Sequence, residues 1–254
     1  MVSVLLVVLI ASGFVTSGDT QRDPYGRQWD AVIKASEKVK YPRDSLWKSI
    51  QRRLPMVEPF PCEENNGKLR WRSATRPDSV HQLLPGDIDV IGAMGDSLTA
   101  GSGAREFNPI GVTVQDRGVS FSGGGQGSWR EFITLPNILK VFNPNLRGYA
   151  IGIGDVESSE AQLNVAVPAA LDDDALKQAK TFVSAMLRDR SINFTSDWKM
   201  LSILIGHNDL CSCRCYDERK HSPEAHKQNL EKALDYLYQK VPRLFVNMLS
   251  IIAS

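Results

Sequence analysis

Beyond Asp87 the chain alternates short apolar runs with longer stretches in which apolar residues recur at helical spacing. Ile88 to Met94 is a short apolar run closed by Gly95, the mark of a buried strand. Asn137 to Phe142 extends a helix that begins near Thr134-Leu135-Pro136, with proline early and Asn143-Pro144 closing it. Leu163 to Val167 reads as a second strand. Leu176, Ala179, Phe182, Val183, Met186 and Leu187 then mark a helix opened by the acidic Asp172-Asp173-Asp174. Met200 to Gly206 is a third strand. Ser222-Pro223 caps a helix with Leu230, Ala233, Leu234, Leu237 and Val241 on one face, and Arg243 to Ile252 is a fourth strand. Strands alternating with amphipathic helices predict an α/β fold with a parallel sheet covered on both faces.

The amino-terminal third has another pattern. Val2 to Val15 is uncharged and apolar, and Thr16, Ser17 and Gly18 lead into polar Asp19-Thr20-Gln21-Arg22. Such a run, shorter than the ~20 residues a spanning helix needs, predicts a secretory signal peptide over residues 1–18. Residues 19–66 read as an arm and linker: an amphipathic helix from Gln28 to Val39, a short helix from Ser45 to Leu54, then a segment broken by Pro55, Pro59 and Pro61. Residues 67–254 form the main domain.

Composition narrows the class further. The 254 residues carry 30 basic and 29 acidic side chains, a balance with no electrostatic footprint for nucleic acid and no polybasic patch for a membrane. An exported chain is permitted disulfides, and of its four cysteines Cys62 stands alone while Cys211, Cys213 and Cys215 crowd together; three pairings are open. Asn193-Phe194-Thr195 is a glycosylation sequon for an exported chain.

Parallel sheets hold their working groups at the carboxyl ends of strands. The first strand ends in Gly95-Asp96-Ser97, a tight turn that presents a hydroxyl or, alternatively, only caps the next helix. Thr99 stands where a Gly-x-Ser-x-Gly elbow requires its second glycine, so the α/β-hydrolase class is disfavoured. The third strand ends in Gly206-His207-Asn208-Asp209. The Asn208 amide offers two donors, one of which can meet an oxygen that becomes negative during acyl transfer. His207 is set aside as a base, since a neighbour of Asn208 need not face the same cleft. Past the second strand, around Pro168-Ala169-Ala170, a backbone N–H is placed to supply another donor.

Together these blocks resemble the GDSL, or SGNH, hydrolases, and most closely their phospholipase B branch. The resemblance is carried by GDSLTAG (95–101), RGVSFSGG (117–124), TLPNILKVFNPNL (134–146), LNVAV (163–167), the segment 197–211 and KALDYLYQKVPRLFVNML (232–249). It implies a three-layer α/β/α sandwich of flavodoxin-like strand order, lacking here its last strand and helix. It also implies Ser97 as nucleophile, with an oxyanion hole made by the Ser97 N–H, the Ala169 N–H in a glycine's place, and the Asn208 side chain. The implied substrate is an acyl ester of a phospholipid or lysophospholipid, with no metal or organic cofactor. The resemblance places the activating histidine in an Asp-x-x-His segment after a fifth strand, and no such segment follows the fourth strand here, so only a small residual rate is expected, the alternative being a catalytically inactive truncated or pseudoenzyme form that binds lipid without turnover.

Two further features are read as non-catalytic. Gly123-Gly124-Gly125-Gln126-Gly127 lacks the Lys-Ser/Thr ending of a phosphate loop and reads as a flexible loop bordering the cleft. Cys211-Ser212-Cys213-Arg214-Cys215 has an uncommon spacing for zinc, and disulfide pairing is the better reading.

Overall fold

The computed structural model describes residues 51–62, 71–106, 109–213 and 215–251. The expected signal segment, the helix from Gln28 to Val39 and most of the Ser45–Leu54 helix lie outside the described residues.

Three parallel strands, β1 (Ile88–Gly95), β2 (Trp198–Leu204) and β3 (Leu244–Met248), pair in the order β1-β2-β3. Ile91 stands opposite Met200, and Ser202 opposite Asn247. Every residue of β1 is buried. Helices on both sides of a parallel strand leave no solvent face, which is why its sequence is a near-continuous apolar run.

Among the described residues a short helix α1 (Ser97–Ala100) follows β1, and α2 (Leu135–Phe142), α3 (Ala175–Arg188) and α4 (Pro223–Lys240) form where the sequence signals place them. Thr134 Oγ1 accepts from the Asn137 N–H to cap α2, and Ser222 Oγ accepts from the Ala225 N–H to cap α4. Phe182, Val183 and Met186 of α3 and Ala233 and Leu237 of α4 share a core with Val90, Met94, Leu201 and Ile203. On the opposite face Leu139 of α2 packs with Ile88, Ile91 and Met200. The helices therefore cover both faces of the sheet, as a three-layer α/β/α sandwich requires.

Three local expectations are corrected. Leu163 to Val167 does bond to β1 but makes only an isolated bridge, Asn164 to Ala93, and no regular strand. The free edge of β1 is divided: Arg147 takes Ile91 and Asp89, while residues 163–167 take Ala93 and Gly95, so neither segment has a ladder long enough to be a strand. Gln51 to Leu54 are not helical. Their polar groups pair with the main domain instead, Gln51 with the Trp129 carbonyl and the Ile133 N–H, and the Leu54 N–H with the Arg130 carbonyl. Phe60 anchors this segment edge-on between Trp129 and Phe142. The glycine loop is not flexible: Gly123, Gly124 and Gly125 are buried, and Gly123 and Gly125 exchange hydrogen bonds with Ala150. A Cβ on Gly125 would lie 2.3 Å from the Tyr149 ring, so glycine there permits close packing.

At the amino end of the sheet, Lys199 of β2 is wholly buried. Its ammonium donates to the Phe194 and Pro242 carbonyls, and burial pushes its pKa down to about 8. An unfolded lysine keeps its proton to ~10.4, so folding releases a proton between pH ~8 and ~10.4 and stability rises with pH across that window. The expected result is that the wild type gains up to about 3 kcal/mol there relative to Lys199→Met. Parallel urea midpoints for the two proteins check this; identical pH slopes would show that Lys199 titrates normally.

Candidate catalytic site

β1 ends at Gly95 with φ +155°, a value that side-chain-bearing residues rarely adopt. A Cβ here would lie 2.3 Å from the Leu204 carbonyl and 2.4 Å from Thr99 Oγ1. Only glycine lets the chain turn this tightly against β2. Gln178, buried on α3, grips the backbone of this residue on both sides: the Gly95 N–H donates to its Oε1 at 2.8 Å, and its amide donates to the Gly95 carbonyl at 2.9 Å. Asp96 caps α1 by accepting from the Leu98 N–H at 2.9 Å. Ser97 is the first residue of that helix and is half-buried. Burial raises the Asp96 carboxyl above its ordinary pKa, opposed by the Leu98 N–H and the charge of nearby His207.

Two further loops meet this turn. The Val167 N–H donates to the Gly95 carbonyl at 3.1 Å, tying the 163–170 segment to the end of β1. Beyond β2, Asn208 donates through Nδ2 to the Ala170 carbonyl at 2.9 Å, tying the third loop to the second. Ser97, Ala169 and Asn208 thus sit on three loops joined by hydrogen bonds at the carboxyl end of the sheet. Among the described residues, the N–H groups of Ser97 and Ala169 have no hydrogen-bond partner, and one of the two Asn208 amide hydrogens is uncommitted.

Ala169 has φ +62°, the left-handed region expected of a glycine. Its methyl is exposed, so steric strain is local to the backbone. Ala169→Gly is expected to raise stability by about 0.5 kcal/mol, the relief of left-handed strain less glycine's greater unfolded freedom. A denaturant midpoint that falls instead would show that the turn carries no such strain.

The histidines are distributed unevenly around this site. His207 is half-buried, and its Nδ1 has no hydrogen-bond partner. His221 is buried and pairs with Asp209 at 2.7 Å. His226 pairs with Asp172 at 3.0 Å, and Asn229 bonds the second oxygen of Asp172. Asp209 also accepts from the Asp172 N–H at 3.0 Å, so the two pairs form one network behind the Asn208 loop. Burial holds the Asp209 carboxyl above its ordinary pKa. The sequence does contain one Asp-x-x-His spacing, Asp78-Ser79-Val80-His81, which precedes β1. Asp78 pairs with Arg243 beside the start of β3, and the Pro77 carbonyl accepts from the Trp198 indole at the start of β2. That segment lies at the amino end of the sheet, opposite Ser97, and cannot reach it.

Sequence reasoning missed Arg117 and Gln178, the buried polar residues that fasten these loops. Arg117 at least was within the RGVSFSGG block; Gln178 sits in an amphipathic helix with no local signal. Cys62, Cys211 and Cys215 are exposed and unpaired, so none of the three forms a disulfide in the structure. Asn193 of the sequon is exposed. Among the described residues no cluster of histidine, cysteine and acidic side chains fits a metal ion, and no helix is long and apolar enough to cross a membrane.

Residues 91–253 match the sequence model of the GDSL-like lipase/acylhydrolase family. The chain belongs to that family. It is 44% identical over 195 residues to "Phospholipase B1, membrane-associated" of Homo sapiens, covering 76% of the chain and 13% of the relative. It is 45% identical over 193 residues to the protein of the same description from Mus musculus, covering 75% of the chain and 13% of the relative. The chain thus spans about an eighth of the length of these curated relatives. No solved structure gives a significant match. The cluster at the carboxyl end of the sheet holds the GDS motif that names the family.

Proposed function

We propose that the chain is the working part of an exported serine ester hydrolase that cleaves acyl esters of phospholipids or lysophospholipids. Residues 1–18 serve as its export signal. One observation carries the catalytic reading: three uncommitted N–H donors, on Ser97, Ala169 and Asn208, come from three separate loops fastened together around a half-buried serine. Donors held in place before the reaction stabilise a developing oxyanion without reorganisation. Ser97 Oγ attacks the ester carbonyl and gives its proton to solvent, the three N–H groups receive the oxyanion, the C–O bond to the alcohol breaks as the alcohol takes up a proton from solvent, and water then hydrolyses the acyl-enzyme to the acid and free Ser97.

Left-handed Ala169 supports this reading. The resemblance implies a glycine amide at this turn, and the chain keeps the glycine-type backbone although the residue is alanine. The lipid substrate follows from the likeness to the phospholipase B1 relatives. A fluorophosphonate ester tests the site directly. The adduct is expected on Ser97 by peptide mass mapping, with competition by lysophosphatidylcholine and no adduct in Ser97→Ala. Because the assay reads where the adduct forms, it does not depend on a fast rate. An adduct on another residue, or labelling unchanged in Ser97→Ala, would remove Ser97 as the nucleophile.

A further inference from the structure

Asn208 and Asp209 are consecutive, and each bonds the loop that carries Ala169. Asn208 Nδ2 donates to the Ala170 carbonyl at 2.9 Å, and Asp209 Oδ2 accepts from the Asp172 N–H at 3.0 Å. A single hydrogen bond fixes a distance but leaves the two loops free to pivot about it. Two directional bonds, from neighbouring residues on one loop to nearby residues on the other, remove that pivot. The Asn208 amide and the Ala169 N–H are therefore held in one relative orientation.

The second bond is only as firm as the carboxylate that accepts it. Asp209 is buried, and its other oxygen meets His221 Nδ1 at 2.7 Å; His221 is itself buried and stands immediately before the Ser222 cap of α4. Asp172 is engaged at both oxygens too, by His226 Nδ1 at 3.0 Å and by Asn229 Nδ2 at 2.8 Å. His226 and Asn229 lie at i, i+3 in the first half of α4 and so share a face. An ionised carboxylate only accepts, so each Nδ1 donates, and neither carboxylate is free to rotate. Gly206 admits the second histidine: a Cβ there would lie 2.6 Å from His226 Cε1. Burying two carboxylates and a histidine is costly unless every group is paired, and a fully paired buried network is rigid. Here that rigidity is concentrated at the junction of the two donor loops.

We propose that Asp209 and His221, backed by Asp172, His226 and Asn229, are positioning residues that hold the Asn208 and Ala169 donors in register from the amino end of α4. The assignment rests on the ester-hydrolase reading, which gives those donors their work. These side chains act through Asn208 and Ala169 and not on the substrate. Preorganised donors lose much of their value when displaced by about an ångström, so loosening the network slows the chemistry while the fold persists.

Fluorophosphonate labelling of Ser97 in the full chain, followed for both rate constant and final extent, tests this. His221→Leu removes the donor to Asp209 and is expected to label about ten- to a hundredfold more slowly, to the same extent and with little change in reagent half-saturation, because the donors act on the transition state. His221→Asn returns an N–H near the place of Nδ1 and is expected to recover most of the rate. In the Asn208→Ala background, His221→Leu is expected to cost only about threefold more, since one of the donors it positions is already gone. Asn229→Ala, which frees one oxygen of Asp172, is expected to slow labelling severalfold and serves where His221→Leu does not fold. A purely structural role predicts a lower extent at an unchanged rate constant, no rescue by asparagine, and losses that multiply in the double variant; that pattern overturns the proposal. The side-chain amide signals of Asn208 in NMR spectra supply a readout without chemistry, expected to be sharp in the wild type and broadened in His221→Leu. That response without any adduct at Ser97 would keep the network's hold on Asn208 and remove the hydrolase reading, while a Ser97 adduct whose rate ignores these variants would do the reverse.

Discussion

Replacing Arg117 with methionine is expected to destabilise the protein by more than about 4 kcal/mol, a large part of a typical folding free energy. The guanidinium is wholly buried and, among the described residues, forms no ion pair. It donates to the Gly154, Asn164 and Ala166 carbonyls, each at 2.8 Å, to the Gln115 side chain at 2.6 Å, and to Asn164 Oδ1 at 3.3 Å. Burial pushes its pKa down to about 10, partly offset by the charge of Asp155. Methionine fills much of the volume but strands several buried acceptors, each costing about 1–3 kcal/mol. Lysine keeps the charge without the planar fork, so Arg117→Lys is expected to fall between the two. Urea unfolding checks the order. A methionine variant within about 1 kcal/mol of the wild type would show that water or relaxation satisfies the acceptors.

The consequence reaches the catalytic cluster, because Asn164 also donates to the Thr99 carbonyl at 2.9 Å, just beyond Ser97. Ser120 Oγ donates to the same carbonyl. Arg117 therefore fastens the Ala166–Ala170 turn to the Ser97 turn from below.

Asn208→Ala is expected to slow fluorophosphonate labelling of Ser97 by about 10²–10³, the usual cost of one oxyanion donor. One amide hydrogen of Asn208 is already committed to the Ala170 carbonyl, which fixes the rotamer and leaves the other uncommitted. Loss of the structural bond alone costs only about 1 kcal/mol of stability, so folding and labelling separate. Asn208→Asp keeps the shape but replaces donors with an acceptor close to Asp209, and it is expected to label at least as slowly. Labelling at the wild-type rate in the alanine variant, with its fold intact, would exclude Asn208 from the oxyanion site.

The sequence by itself determined the layers and their order. An apolar strand such as Ile88–Met94 and an amphipathic helix such as α3 carry their periodicity locally, so the α/β alternation is legible residue by residue. The GDS turn and Asn208 were legible for the same reason: each follows a strand at a fixed short distance, and parallel strands deliver their ends to one edge. What sequence could not show depends on partners far along the chain. Leu163–Val167 has a strand's composition, but the edge of β1 is shared with Arg147, so no ladder forms. Gly123–Gly127 has a flexible composition, but Tyr149 and Ala150 close over it. The Asp78–His81 spacing has the form of a catalytic segment and lies at the wrong end of the sheet. Gln178 looks like any polar helical residue until its contact with Gly95, 83 residues away, is formed. Local pattern records which elements form; which buried polar groups hold those elements together, and whether a serine and its donors meet, is decided only when distant acceptors must be satisfied in the packed chain.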